Sequence, residues 1–269
     1  MAQYFLSAFP KVAHFFISVS GSIFSWRVAH NSLDNRTIHQ VEDSSVIGFE
    51  VLSRGPEGRY YSPNNLFSAA SKERRLVEME MVCFKQALKH SVGNSKLFFN
   101  FSSNTIIQCQ QEIANSLWSL NRPVIELSEV GTRSHKHNRL IKVLENLRHQ
   151  GVQIALDDVG GGTKDFSHIC EVPFDYLKID RSLVRGITRY KNGSAVHYKE
   201  FLLFITGLAK QLNAQVIAEG VETEMQLAGI RRVGINLVQG FYFSRPTPVK
   251  ELCVKHDKGK PAYRNVGGK

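Results

Sequence analysis

A chain of 269 residues, 42% hydrophobic and 22% charged, can bury one large core and is too apolar to stay disordered. Its formal net charge of +10 points to an anionic partner: a nucleotide, a nucleic acid or an acidic membrane face. Cys83, Cys109, Cys170 and Cys253 are scattered without a C-x-x-C pair, which argues against a disulfide scaffold or a zinc knot and favours a reduced, cytoplasmic setting.

In chain order, residues 1–23 are apolar but interrupted by Pro10, Lys11 and His14. They lack a basic start and an unbroken run of membrane length, so they read as a helical extension packed on the domain or on a partner, not as a membrane span. "FSWRVA" at Phe24 to Ala29 offers a first strand. Continuous apolar runs then mark strands at Val46 to Leu52, Lys96 to Phe101, Val124 to Leu127, Val152 to Leu156, Tyr176 to Ile179, Gln215 to Ala218 and Leu237 to Phe241. Amphipathic stretches lie between them at Asn64 to His90, Thr105 to Leu120, Ser134 to His149, Tyr198 to Leu212 and Glu222 to Val233. In the third of these Ser134 can cap the start, Leu140, Val143, Leu144 and Leu147 recur at helical spacing, and Gly151 ends it. Strand then helix, repeated, predicts a TIM-like (β/α)8 barrel of parallel strands as a single domain over residues 24–250, with an open doubly wound sheet as the alternative. Residues 251–269 lack apolar periodicity and read as a loose basic tail.

Polar residues stand where these strands end: Glu50, Asn100, Glu126, Asp157 with Asp158, Lys178, Glu219 and Gln239. Barrel strands point one way, so their ends converge on the face that carries active sites. Carboxylates gathered in one pocket repel one another and need cations to compensate them. The donors are oxygens, which favours Mg²⁺ or Mn²⁺ over zinc, and the adjacent pair at Asp157 and Asp158 suits two ions, one carboxylate bridging both. Two such ions about 3.5 to 4 Å apart can acidify a water and stabilise the leaving oxygen of an in-line phosphoryl displacement.

The runs "FEVLSR", "FNFS", "IELSE", "LDDVGGG", "DYLKIDRSLV", "VIAEGVET" and "QGFYFSRPTP", in this order from Phe49 to Pro248, resemble the signatures of the EAL-domain family, bacterial phosphodiesterases that hydrolyse cyclic di-GMP to linear pGpG. The resemblance implies that Glu50, Asn100, Glu126 and Asp157 bind one metal, with Asp157 shared and Asp158 holding the second. It makes Lys178 the contact to the attacking water and to charge on phosphorus, and Glu219 the residue that orients or deprotonates that water. Glu222 and Gln239 complete the shell, Arg54 grips a substrate phosphate, and Glu129 steadies the glycine-rich loop. It also implies a homodimer. A protein partner could come through the N-terminal segment or the basic tail, and no nucleic-acid polymer is expected.

Four departures from the family pattern stand out. Val51 replaces the usual Ala of the signature. The family's Gln-Pro, a base contact, is not evident, which leaves Asn31, near its place, as the candidate. "VGGGTKD" follows Asp158 in place of "FGTGYSS", and "LSRG" lacks the aromatic that often follows the signature arginine.

Overall fold

The computed structural model describes residues 14–19, 22–27, 33–89, 95–127, 135–161, 167–188 and 194–248. Where residues 1–23 were expected to be helical, the described part is strand: β1 (His14–Val19) pairs antiparallel with β2 (Ser22–Arg27), His14 opposite Arg27. The strand expected around Phe24 therefore exists but belongs to this ribbon, not to the barrel.

The barrel begins with a strand that apolar runs did not mark, β3 (Leu33–Gln40), followed by β4 (Val46–Ser53) across a short turn in which Asp43 Oδ1 accepts from the Ser45 amide at 2.9 Å. Then come β5 (Lys96–Phe101), β6 (Val124–Leu127), β7 (Gln153–Val159), β8 (Tyr176–Ile179), β9 (Gln215–Glu219) and β10 (Leu237–Gln239). Each of β4 to β10 is parallel to the next, and β10 closes the ring by pairing with β3. The expected eight-stranded TIM-like barrel is therefore present, with one correction: β3 runs antiparallel to both of its neighbours, joined to β4 as a hairpin. A two-residue strand, β11 (Thr247–Pro248), pairs with the outer part of β3.

Helices cover the outside: α1 (Pro63–Lys72), α2 (Leu76–Leu88), α3 (Ser103–Leu117), α4 (His135–His149), α5 (Ser167–Glu171), α6 (Arg181–Gly186), α7 (Ser194–Gln211) and α8 (Glu224–Arg232). The single helix expected over Asn64 to His90 is two, because Arg74 takes a left-handed φ of 55° and ends α1. Local signals set several starts. Ser102 caps α3, Asp180 caps α6 through Ser182, and Thr223 with Gln226 forms a reciprocal capping box on α8.

Strand alternation divides the core into two parts. Outward residues pack under the helices, where Phe84 meets Phe99 and Phe101 edge-on at 5.1 Å. Inward residues form a separate cluster of Ile38, Phe98, Val124, Ala155, Tyr176, Ile217 and Leu237, which fills the barrel as a plug. At the strands' amino ends Lys96 donates to the Tyr176 hydroxyl at 2.6 Å. Burying each large member of that plug contributes about 1.5–3 kcal/mol.

Gly240, just past β10, is held against Val221: a Cβ there would sit 2.1 Å from the Val221 carbonyl oxygen and 2.4 Å from its nitrogen. Backbone cannot yield as a side chain would. Gly240→Ala is expected to lower stability by about 1–3 kcal/mol and to displace the neighbouring Gln239; a thermal melt indistinguishable from that of the unaltered chain would contradict the close packing.

Candidate active site

Two residues beyond the apolar plug along each strand, the inward positions become polar. From Phe98, Val124, Ala155, Tyr176, Ile217 and Leu237 the step leads to Asn100, Glu126, Asp157, Lys178, Glu219 and Gln239, and on β4 from Gly48 to Glu50. The period of two that buries the plug thus also gathers this polar layer at the carboxyl ends of the parallel strands. On antiparallel β3 the same step runs backwards, from Ile38 to Arg36, whose Cα pairs with that of Glu50. Arg36 is the member of the layer that reading the sequence missed. The signal was present, in a charge placed two residues before a buried Ile on a strand opposite Glu50.

Lys178 is fully buried at the centre of this layer. Its ammonium lies 2.8 Å from Glu126 Oε1, 2.8 Å from Glu219 Oε1, 3.1 Å from Asp157 Oδ1 and 3.8 Å from Glu50 Oε1. Glu50 has further partners: Gln239 Nε2 donates to its Oε2 at 2.7 Å, Asn100 Nδ2 to its Oε1 at 3.4 Å, and Arg36 Nη1 stands 3.5 Å from Oε2.

Adjacent strand residues normally face opposite sides, so Asp157 and Asp158 reach one site only through a distortion. The register between β7 and β8 shifts between Leu156 and Val159, and Asp158 has a left-handed φ of 55°. This bulge re-aims the second carboxylate, and oxygens of Asp157, Asp158 and Glu219 come within 4.8 Å of one another. Gly160 follows at φ 86°, and a Cβ on it would meet Leu183 Cδ1 at 2.4 Å, so the first glycine of the loop is required by the turn. Residues 162–166 lie outside the described part.

The electrostatics follow from burial. Desolvation pulls Lys178 downward, but Asp157, Glu126, Glu219 and Glu50 outweigh that and hold it charged, well above the usual lysine range. Burial lifts Glu126 well above the usual carboxylate range against the pull of Lys178, with Glu50 and Asp157 adding to the lift. Asp157 is raised in the same way. Burial, opposed by Lys178 and reinforced by Asp157 and Glu50, pushes Glu219 up to about 7. Glu50 alone of the four is lowered: burial raises it, but Lys178, Arg36 and the hydrogen bonds from Gln239 and Asn100 together prevail. Among the described residues, the cations within 4 Å of Glu50, Glu126, Asp157 and Glu219 are Lys178 and Arg36, so these four carboxylates outnumber their positive partners.

This donor set fits hard dications. It is made of oxygens, it is short of cations, and the buried Glu126 Oε2 accepts no hydrogen bond among the described residues. Among the described residues, Asp157, Asp158 and Glu219 each bring an oxygen close enough to the others to share such an ion.

The remaining expected residues lie elsewhere. Arg54 stands at the rim, where its Nε donates to Asp34 Oδ2 at 2.9 Å and its guanidinium lies 6.0 Å from the Tyr61 ring centre. Glu222 pairs with Arg185 of α6 at 3.2 Å and is not joined to the carboxylate cluster. Asn31 and Glu129 lie outside the described residues. Beside the site a cleft of about 690 Å³ opens between Glu50 and Asn100 on one side and α1 and α2 on the other, with Phe67, Leu76 and Phe84 in its wall.

Known proteins resemble this chain in sequence and in fold. The family model of the EAL domain matches residues 32–246. The probable cyclic di-GMP phosphodiesterase PdeG of Escherichia coli is 30% identical over 238 residues, covering 83% of this chain and 46% of that protein. The cyclic di-GMP phosphodiesterase PdeB of Shewanella oneidensis is 28% identical over 222 residues, covering 76% of this chain and 25% of that protein. The chain spans less than half the length of the curated relatives it matches. Among solved structures, the manganese and cy-diGMP complex of Klebsiella pneumoniae BlrP1 at pH 9.0 is 25% identical with a TM-score of 0.70, covering 90% of this chain and 60% of that one. The c-di-GMP complex of the PaMucR phosphodiesterase is 25% identical with a TM-score of 0.69, covering 82% of this chain and 93% of that one. The match over residues 32–246 takes in every strand of the barrel and every member of its polar ring, and the chain belongs to the EAL-domain family.

Proposed function

We propose that the chain is a metal-dependent phosphodiesterase that hydrolyses cyclic di-GMP to linear pGpG. The observation that carries this reading is the convergence of Glu50, Asn100, Glu126, Asp157 and Asp158 in one layer around Lys178 and Glu219. Two Mg²⁺ or Mn²⁺ ions, when bound by those five residues, supply Lewis-acid stabilisation to the phosphoryl oxygens and to the leaving 3′ oxygen.

The chain's own groups do the rest. Glu219, with a carboxyl near 7, takes the proton from the attacking water at neutral pH. Water oxygen bonds to phosphorus as the bond from phosphorus to the 3′ oxygen breaks, and the proton that Glu219 took is returned through solvent to the 3′ oxygen to give its hydroxyl. Lys178, kept charged and immobile by its four carboxylates, opposes the negative charge that builds on phosphorus without having to reorganise. Arg54, its Nε already committed to Asp34, keeps its other nitrogens for a substrate phosphate. The site sits in the cytoplasm on this reading, in keeping with the free thiols at Cys83, Cys109 and Cys170, and no helix among the described residues is long and apolar enough to cross a membrane. A homodimer, cyclic di-GMP as the small-molecule partner and a basic tail left to a protein partner belong to the same reading.

A second reading, a receptor that binds the nucleotide without cleaving it, is favoured by one feature: the polar ring includes the cation Arg36 beside Glu50. One assay separates the two. Pure protein with cyclic di-GMP and Mn²⁺ is expected to release pGpG, and Glu50→Ala to cut the rate by more than about 100-fold, since losing even an outer partner of a metal ligand costs about 10- to 100-fold. Tight nucleotide binding without product, at any Mn²⁺ or Mg²⁺ concentration, would replace the enzyme with the receptor.

A further inference from the structure

The polar ring holds two resident cations, and they differ in kind. Lys178 is wholly buried, within 3.1 Å of three carboxylates, and cannot leave without exposing them to one another. Arg36 comes from the antiparallel strand, its side chain is 30% exposed, and among the described residues its ion pair is the 3.5 Å approach to Glu50 Oε2. Its Nε is buried and makes no hydrogen bond among the described residues. The guanidinium is therefore placed on a prospective metal ligand but only loosely held there.

Glu50 is the ligand on which this matters most. Its Oε2 already accepts from Gln239, and its Oε1 faces Asn100 and Lys178. An incoming dication must share this carboxylate with Arg36, and would sit a few ångströms from a like charge. The carboxylates that could offset that repulsion, Glu126, Asp157 and Glu219, are turned to Lys178. Asp34, the acid on β3, is turned to Arg54.

We infer that Arg36 is a built-in competitor for the dication at Glu50, which weakens metal binding and makes occupancy of the site depend on the dication concentration. The inference rests on the metal-dependent reading above and concerns a positioning residue that acts through Glu50, not a group that touches the reacting atoms.

The test is a calorimetric titration of the full chain with MnCl₂, nucleotide absent, on the unaltered protein, Arg36→Gln and Arg36→Lys. Arg36→Gln is expected to bind Mn²⁺ about tenfold more tightly, the size of a water-screened repulsion between a unit charge and a dication a few ångströms apart. Arg36→Lys keeps the charge and is expected to stay within about twofold of the unaltered chain. Equal affinity for the unaltered protein and Arg36→Gln, or weaker binding by Arg36→Gln, overturns the inference while leaving the metal reading standing. Tightening by Arg36→Lys as large as that by Arg36→Gln also overturns it, because size and not charge would then be the cause. Millimolar Mn²⁺ binding to none of the three defeats the metal reading itself, and this inference with it. Thermal melts of the variants check that each is folded, which the part-exposed position of Arg36 favours.

Discussion

Lys178→Met is expected to lower kcat for cyclic di-GMP by about 10²- to 10³-fold, the typical cost of deleting one preorganised charge-stabilising donor. The methionine side chain is close to lysine in length and apolar, so the change removes charge more than volume. What it uncovers is the mutual repulsion of Glu126, Glu219, Asp157 and Glu50, all now within 3.8 Å of the ammonium. Breaking a buried pair from one side typically costs about 3–5 kcal/mol, so a lowered melting temperature is expected together with the slower turnover. The two effects can be separated. Dications replace the lost positive charge in the fold but not at the phosphorus, so saturating Mn²⁺ should raise the melting point of the variant more than that of the unaltered chain and leave kcat low. Full activity of Lys178→Met at saturating Mn²⁺ would reduce Lys178 to a counter-ion.

The parallel strands and the residues at their ends were legible because burial on both faces leaves an apolar run that stops abruptly at a polar residue. Glu126 interrupts "VIEL" as Lys178 interrupts "YLKI", one residue before the strand ends, and both sit in the ring. β3 was not legible in the same way. "LDNRTIHQ" reads as a polar loop, yet Asn35 and His39 are buried, His39 is stacked on Phe243 at 4.7 Å, and Asp34 and Arg36 are matched by Arg54 and Glu50 across the barrel mouth. Asp34, Arg36 and Thr37 find their partners in Arg54, Glu50 and Ser244, which a local window cannot see. Missing β3 had a direct consequence for the site: Asn31 stood in for a contact that could not be located, while Arg36 went unread. The bulge at Asp157 and Asp158 was signalled by the doubled carboxylate, but its cause, a register shift against β8, is a property of the pairing and not of the local sequence.

Glu219→Gln is the second large effect. Removing a positioned general base typically costs about 10²- to 10⁴-fold, and a fall of that size in kcat with little change in KM is expected, because the amide keeps the size and one oxygen of the carboxylate but cannot accept the proton. A second readout follows from the carboxyl near 7, which burial produces against the pull of Lys178. Below that value the folded, metal-free chain carries a proton on Glu219; dications favour the ionised form, so Mn²⁺ binding should release more protons at pH 6 than at pH 8. Calorimetry in two buffers of different ionisation enthalpy measures that release, and Glu219→Gln should diminish it at pH 6 while leaving the value at pH 8 nearly unchanged. A variant that turns over cyclic di-GMP at the unaltered rate would take the base role from Glu219. One that loses turnover yet releases the same number of protons would leave the base in place but move the titration to Glu126 or Asp157, the other carboxylates that burial raises around the same ammonium.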